Sequence, residues 1–226
     1  MSAITILIPA YNESLHIDAT IRSLQGGINN LREILVVDDG SNDDTALIAK
    51  EEGARVIRLD QNRGKGGAIT AAFPFVTGEI VLILDADLKE SAHEAKVLTG
   101  PILAGEADIT IAKFLPGRGG RGFGMAKKTA CLGLKALTGK SISSPLSGQR
   151  CMRKEVLASF LPLPPRFGME VGMTIDAFSK GYRVLEVETL LKHCPPGRDW
   201  TGFLHRGRQF YDICAVLGSR AWRCCR

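Results

Sequence analysis

The sequence predicts an α/β protein in which a mostly parallel central sheet is flanked by helices. Three observations carry that prediction. Over the first ninety or so residues, short β-branched runs alternate with helical patterns across short connections. Runs such as Ile80 to Leu84 are apolar throughout, as expected of a strand covered on both faces. The polar residues best suited to chemistry fall just past the ends of these runs, where ligands bind in such sheets. They are Tyr11 to Glu13, Asp38-Asp39, Asn62 to Lys65, and Asp85 to Asp87.

Taken in order, Ala3 to Pro9 reads as the first strand. A helix follows over about Ser14 to Leu24, where Leu15, Ala19, Ile21 and Leu24 recur at roughly helical spacing and Gly26-Gly27 ends the pattern. Glu33 to Asp38 is the second strand. Asn42 and Asp43 are natural caps for a helix running through Thr45 to Glu51 and stopping at Gly53. Arg55 to Leu59 is the third strand, and Asn62 to Gly67 opens an alanine-rich helix that reaches the region of Pro74. Glu79 to Asp87 is the fourth strand, entered from the Thr77-Gly78 turn.

The second half is less regular. Strands are expected over Asp108 to Lys113 and Arg183 to Glu188, and helices over Met125 to Leu137 and Phe167 to Lys180, with Glu170 in the first turn of the latter. Ser147 to Met152 is short and extended. Lys113 to Lys128 holds five basic residues and no acidic one, with five glycines between Pro116 and Gly124, the pattern of a mobile basic loop. From about Thr201 the tail reads as a basic amphipathic helix, fit to lie on a membrane or to pack on the domain.

Bulk properties narrow the function. A chain of 226 residues fits one domain, or one domain with a small extension, and can bury a substantial core. Its net charge of +5 suits anionic ligands or an acidic membrane surface without calling for nucleic acid. Six scattered cysteines without a C-x-x-C pair read as free thiols of a reducing cytoplasm, and no His/Cys cluster has zinc spacing. The Ile4 to Ile8 run is too short and lacks the basic flank of a signal peptide, and no apolar stretch reaches transmembrane length. A cytoplasmic protein is expected, with a peripheral contact at the inner membrane face and a homodimer left open.

Chemistry concentrates at Asp85-Ala86-Asp87. In an extended segment alternate side chains share a face, so both carboxylates would point at one spot beyond the sheet. Two hard oxygen donors there suit Mg²⁺ or Mn²⁺ shared with a substrate's phosphates. Gly64-Lys65-Gly66, opening a helix, suits an anion by position and dipole but lacks the full Walker spacing of a P-loop. Alone, each motif has an ordinary reading as a capped turn or a solvated acidic loop. His16 and His93 read as surface residues.

Four motifs in sequence, Pro9-Ala10-Tyr11-Asn12-Glu13, Val37 to Thr45, Asn62-Arg63-Gly64-Lys65-Gly66 and Asp85-Ala86-Asp87-Leu88, resemble those of the family 2 glycosyltransferases, which have the GT-A (nucleotide-diphospho-sugar transferase) fold. Within that family the chain is similar to polyprenyl-phosphate (dolichol-phosphate) sugar synthases and, through Phe167 to Gly172 and a downstream histidine, to glucosyl-3-phosphoglycerate synthases. The resemblance implies one domain over 1–226, with a nucleotide-binding half (1–90) and an acceptor-binding half (91–226).

It also implies roles. Pro9, Ala10, Tyr11 and Glu13 would line the base and ribose pocket, Asp39 would meet the base edge, and Lys65 would reach the diphosphate. Asp85, Ala86 and Asp87 would hold the sugar nucleotide, Asp85 and Asp87 would hold Mg²⁺ or Mn²⁺, and His205 would complete the metal shell. Arg150 stands where relatives grip an acceptor phosphate, and Glu170 is the candidate base for a hydroxyl acceptor. Lys89 stands where the dolichol-type enzymes often carry glutamine. The activity implied is transfer of a hexose from a nucleotide-diphosphate sugar, UDP favoured over GDP. The basic residues of 113–128 with Arg150 and Arg206 favour an anionic acceptor, a polyprenyl phosphate or a small phosphorylated acid. The alternatives are a sugar-nucleotide pyrophosphorylase, which should show a G-x-G-x-R loop where Pro9 to Glu13 stands, and a receiver-like nucleotide-binding module, which would leave everything past Asp87 unexplained.

Overall fold

The computed structural model describes residues 2–115, 124–164, 168–192 and 210–221. Seven strands build one sheet: β1 (Ile4–Ala10), β2 (Leu31–Asp38), β3 (Arg55–Arg58), β4 (Ile80–Ile83), β5 (Ile109–Phe114), β6 (Arg150–Arg153) and β7 (Val184–Thr189). Their order across the sheet is β3-β2-β1-β4-β6-β5-β7. Strands β1 to β4 are mutually parallel, β6 enters antiparallel between β4 and β5, and β5 pairs parallel with β7. The helices are α1 (Ile17–Leu24), α2 (Thr45–Glu51), α3 (Gly64–Ala72), α4 (Gly100–Leu103), α5 (Gly124–Thr138), α6 (Lys154–Ala158), α7 (Met169–Ser179) and α8 (210–221).

The unbroken apolar character of the strands follows from cover on both faces. Ile4, Ile6 and Ile8 of β1 point to one side, where Ile17, Ile21 and Leu24 of α1 close the core. Leu7 points to the other side with Val81 and Ile83 of β4, against Ile69 of α3 and Met169 and Met173 of α7. A smaller cluster joins Ala130 and Leu134 of α5 and Val171 and Ile175 of α7 to Ile213 of α8.

Several boundaries differ from the sequence expectation. The first helix starts at Ile17, not Ser14; ahead of it the His16 amide closes a tight turn onto the Glu13 carbonyl at 2.9 Å, and the Ile17 amide reaches the same carbonyl at 3.0 Å. Strand β4 ends at Ile83. The Leu84 amide still reaches the Leu7 carbonyl at 3.1 Å, but Ala86 and Asp87 lie in a turn. Asp85 and Asp87 are therefore presented by a strand-to-turn corner and not by one extended face.

A 3₁₀ helix over Lys89–Leu98, followed by α4, was not anticipated. Its buried residues are Ala92, Ala95 and Leu98, a spacing of three that fits 3.0 residues per turn and escapes a search for 3.6. Most of the basic loop, 116–123, lies outside the described residues. Of its flanks, Lys113 belongs to β5 and pairs with Glu188 at 2.9 Å, while Lys127 and Lys128 lie on α5. The tail is described from residue 210. There Ile213 and Val216 are buried against the domain and Tyr211 is exposed.

Candidate functional site at the mouth of the parallel strands

The loops after β1 and β2 are stitched together by side chains accepting from backbone. The Asn12 amide donates to Ser41 Oγ at 2.9 Å, and the Asn42 amide donates back to Asn12 Oδ1 at 2.9 Å. The Glu13 amide donates to Thr45 Oγ1 at 2.8 Å, and the Ser14 amide to Asp43 Oδ2 at 3.2 Å. Asn12 accepts a left-handed backbone (φ 54°) to make this exchange, a conformation asparagine tolerates better than most residues. Burial would raise the Asp43 carboxyl, but hydrogen bonds from Thr45 and Ser14 outweigh it and hold the group down at about 2.

Asp39 ties the third loop to the second. Its amide donates to the Ala10 carbonyl at 2.8 Å, and its Oδ1 accepts from the Arg63 amide at 2.8 Å. Burial lifts this carboxyl above its ordinary range, against the pull of the Arg63 and Gly64 amides. Beside it, Asp38 is fully buried, accepting from the Ser41 amide at 2.9 Å and lying 3.3 Å from Arg58 Nε. Pro9 and Ala10 end β1, and Tyr11 is the exposed residue of the group.

Lys65, in the first turn of α3, extends its ammonium onto Asp85 Oδ1 and lies 3.5 Å from Glu170 Oε1. The other oxygen of Asp85 accepts from Gln149 Nε2 at 2.6 Å. Space here is tight: a Cβ on Gly148 would run into Lys65 Nζ and both Asp85 oxygens, and one on Gly66 would strike the Pro164 carbonyl. Burial alone would lower the Lys65 pKa; the charges of Asp85 and Glu170 reverse the sign and hold it above the usual lysine value. Glu170, buried in the first turn of α7, is pushed up by burial, with Lys65 and Arg150 opposing.

Asp87 sits partly exposed at the corner after β4. Thr20 fixes that corner from α1, its hydroxyl donating to the Ala86 carbonyl at 2.7 Å while accepting from the Lys89 amide at 2.8 Å. Glu13 faces the same corner. Its Oε2 lies 2.8 Å from His16 Nδ1, and its carboxyl is raised by burial, with His16 opposing and the charges of Asp87 and Asp85 adding to the rise. The charges of Asp87 and Asp85 both bear on Glu13 here, and carboxylate oxygens of this kind suit a hard divalent ion. Among the described residues no group of three or more His, Cys, Asp or Glu side chains is gathered as a ready cage.

Of the residues expected from the sequence, Glu13, Lys65, Asp85, Asp87 and Glu170 form one electrostatic neighbourhood, and Asp39 stands one loop away. His205 and Arg206 lie outside the described residues. Arg150 departs from its expected place. It has no exposed surface, and its guanidinium donates to the Ser147 carbonyl (3.0 Å), Thr174 Oγ1 (3.0 Å) and the Pro145 carbonyl (3.3 Å). Burial draws its pKa down to about 10, with Glu170 opposing. A guanidinium so enclosed braces the segment carrying Gly148 and Gln149 and presents no surface to an acceptor. The sequence reading missed Gln149, Gly148, Thr20 and His16. The pairing of His16 with Glu13 has a local signal, their i,i+3 spacing at a helix start; the other three reach the site through long-range contacts.

Comparison with known proteins bears on the family and the fold. The family model described as glycosyl transferase family 2 matches residues 5–160. Glucosyl-3-phosphoglycerate synthase of Mycobacterium tuberculosis is 32% identical over 202 residues, covering 78% of this chain and 61% of that protein. Undecaprenyl-phosphate 4-deoxy-4-formamido-L-arabinose transferase of Klebsiella pneumoniae is 31% identical over 233 residues, covering 97% of this chain and 69% of the relative. The chain thus spans about three fifths of the length of the mycobacterial synthase it matches. Among solved structures, the M. tuberculosis synthase in complex with Mg²⁺ and UDP superposes with a TM-score of 0.83 at 29% identity, over 97% of this chain and 79% of the other. The same enzyme with Mn²⁺, UDP-glucose and phosphoglyceric acid gives a TM-score of 0.82 at 29% identity, over 97% and 79% of the two chains. The expected α/β fold is therefore the one shared with these GT-A structures.

Proposed function

Because the chain belongs to glycosyl transferase family 2, we propose that it moves a hexose from a UDP-sugar, bound with Mg²⁺ or Mn²⁺, to an anionic acceptor. The observation that carries this reading is the β4 corner, where Asp87 stands beside Glu13 and Asp85, opposite Lys65 at the opening of α3. Negative charge to hold a cation and positive charge to hold a diphosphate lie side by side there. The solved relatives bind UDP with Mg²⁺ or Mn²⁺, and the residues of this chain suit the same pair.

Asp87, with Asp85 and His205 as further donors, would hold the ion, which supplies charge stabilisation to the departing diphosphate. The chain's own groups do the rest. Pro9, Ala10, Tyr11 and Asp39 frame the base, Glu13 accepts from a ribose hydroxyl, and the α3 amides with Lys65 face the phosphates. Ala86, between the two aspartates, is buried in the core and anchored through its carbonyl by Thr20. Glu170 holds Lys65 in place, and Arg150 positions the Gly148-Gln149 segment. The acceptor is a small phosphorylated acid or a polyprenyl phosphate, the two chemistries for which these relatives are named. Where the attacking oxygen belongs to a phosphate monoester, with a second pKa of about 6, it is already ionised near neutral pH and positioning dominates; where it is a hydroxyl of a phosphorylated acid, Glu170 is the candidate base.

The test is product analysis by mass spectrometry with UDP-glucose and other UDP- and GDP-sugars, each offered 3-phosphoglycerate and a short polyprenyl phosphate in the presence of Mn²⁺. Transfer from a UDP-sugar to one of these acceptors is expected, and Asp87→Ala should reduce it by about two to three orders of magnitude. Wild-type rates in that variant would remove the assignment.

A further inference from the structure

We propose that Lys65 is the resting counter-cation of Asp85, which keeps a divalent ion from engaging that carboxylate until a diphosphate arrives to draw the ammonium away. The proposal rests on the metal-and-nucleotide reading above and adds an order of events to it. Three features of the chain converge on it. Both Asp85 oxygens are engaged, one by the Lys65 ammonium and the other by Gln149 Nε2 at 2.6 Å. The ammonium sits in a fitted recess, with Glu170 Oε1 at 3.5 Å and Gly148 leaving no room for even one added carbon. Lys65 also leads a helix whose first turn carries no acidic residue, so a phosphate at the amides of α3 would compete with Asp85 for the same ammonium.

Charge balance gives the consequence. With Lys65 on Asp85, the described residues of the corner leave a cation the field of Asp87 and Glu13, a weaker pull against the hydration shell of a small divalent ion. A diphosphate changes both terms. It brings oxygens that ligate the ion directly, and it gives the ammonium a second anionic partner, freeing Asp85. Glu170 keeps Lys65 within reach during the exchange, and Gln149 holds Asp85 in orientation when the ammonium leaves. Ion and nucleotide should therefore bind with strong positive coupling, through a single side chain that each must displace or attract.

The test is direct Mn²⁺ binding without nucleotide, followed by electron paramagnetic resonance of the free ion. The wild-type chain should bind Mn²⁺ weakly, and Lys65→Met should bind it about tenfold or more tightly, the scale on which one neighbouring charge alters a carboxylate's affinity for a proton. Gly148→Ala keeps the lysine but fills its recess, and should shift Mn²⁺ affinity in the same direction. In Lys65→Met, addition of UDP should improve Mn²⁺ binding far less than it does in the wild type. Unchanged Mn²⁺ affinity in both variants would overturn the proposal, as would an undiminished effect of UDP in Lys65→Met. Failure of wild-type protein to respond to UDP at all would instead strike the nucleotide reading, while tighter Mn²⁺ binding in the two variants would still stand.

Discussion

The two halves of the sheet build their share of the site by different means. Before Asp87, each loop lies at the end of a parallel strand and is secured by its neighbours: Asn12 with Ser41 and Asn42, Glu13 with Thr45, Asp39 with Arg63. After Asp87, the contributions arrive from an antiparallel strand and a distant helix, as Gln149 and Gly148 just before β6 and Glu170 on α7. The first half is a frame of short exchanges between adjacent loops. The second half joins Arg150 and Glu170 to Lys65 and Asp85 of the first in one partly buried charge network, in which each member depends on the rest. Side chains in the frame should fail locally and mildly, whereas those in the network should fail together.

That contrast can be broken or sharpened by substitution. The largest effect is expected for Arg150→Ala, which leaves two carbonyls and the Thr174 hydroxyl without the guanidinium and removes one of the two cations whose charge opposes the burial of Glu170. A loss of about 3–5 kcal/mol in denaturant unfolding is expected; a loss below 1 kcal/mol would show the network to be no more interdependent than the frame. Next comes Gly66→Ala, where the added methyl meets the Pro164 carbonyl. Overpacking of this kind costs about 1–3 kcal/mol, and a neutral result would mean that the Pro164 loop yields freely.

The smallest effect belongs to the frame. The N-cap of α2 is Asp44, not Asn42 or Asp43, and Asp43 instead accepts from the Ser14 and Thr45 amides, so Asp43→Ala should cost about 1 kcal/mol at neutral pH, the scale of a lost hydrogen bond. Its pH dependence has a definite sign. The folded carboxyl lies at about 2, below its unfolded value, so the unfolded chain binds the proton more readily. Stability from Asp43 is therefore complete above about pH 4 and lost as pH falls through about 2. The wild-type and variant stability curves should converge below that range; a gap unchanged down to pH 2 would contradict the ionic origin of the contribution.

The same contrast explains how much was legible in the sequence. The frame is written locally, because parallel strands end in loops whose polar residues lie within a few positions of the strand. Pro9 to Glu13, Asp38-Asp39, Asn62 to Lys65 and Asp85 to Asp87 announced themselves in that way. Gln149 did not, because it meets Asp85 only after β6 inserts antiparallel beside β4, a pairing no local pattern specifies. Arg150 was misplaced for the same reason. A basic residue near an anion site reads as a ligand until its full burial, and three of its donors turned to Ser147, Thr174 and Pro145, show it enclosed within the fold. Thr20 looks like an ordinary helix residue until its hydroxyl is seen bridging Ala86 and Lys89 from across the core.

The most direct measurement is thermal unfolding with UDP and Mn²⁺ together, with each alone, and with GDP and Mn²⁺. At ligand near a hundred times its dissociation constant, UDP with Mn²⁺ should raise the midpoint by about 5–10 °C, more than either component alone and more than GDP, and Asp87→Ala should abolish the metal-dependent part. No shift with any nucleotide, or an equal shift in Asp87→Ala, would contradict a nucleotide-diphosphate site at the mouth of β4.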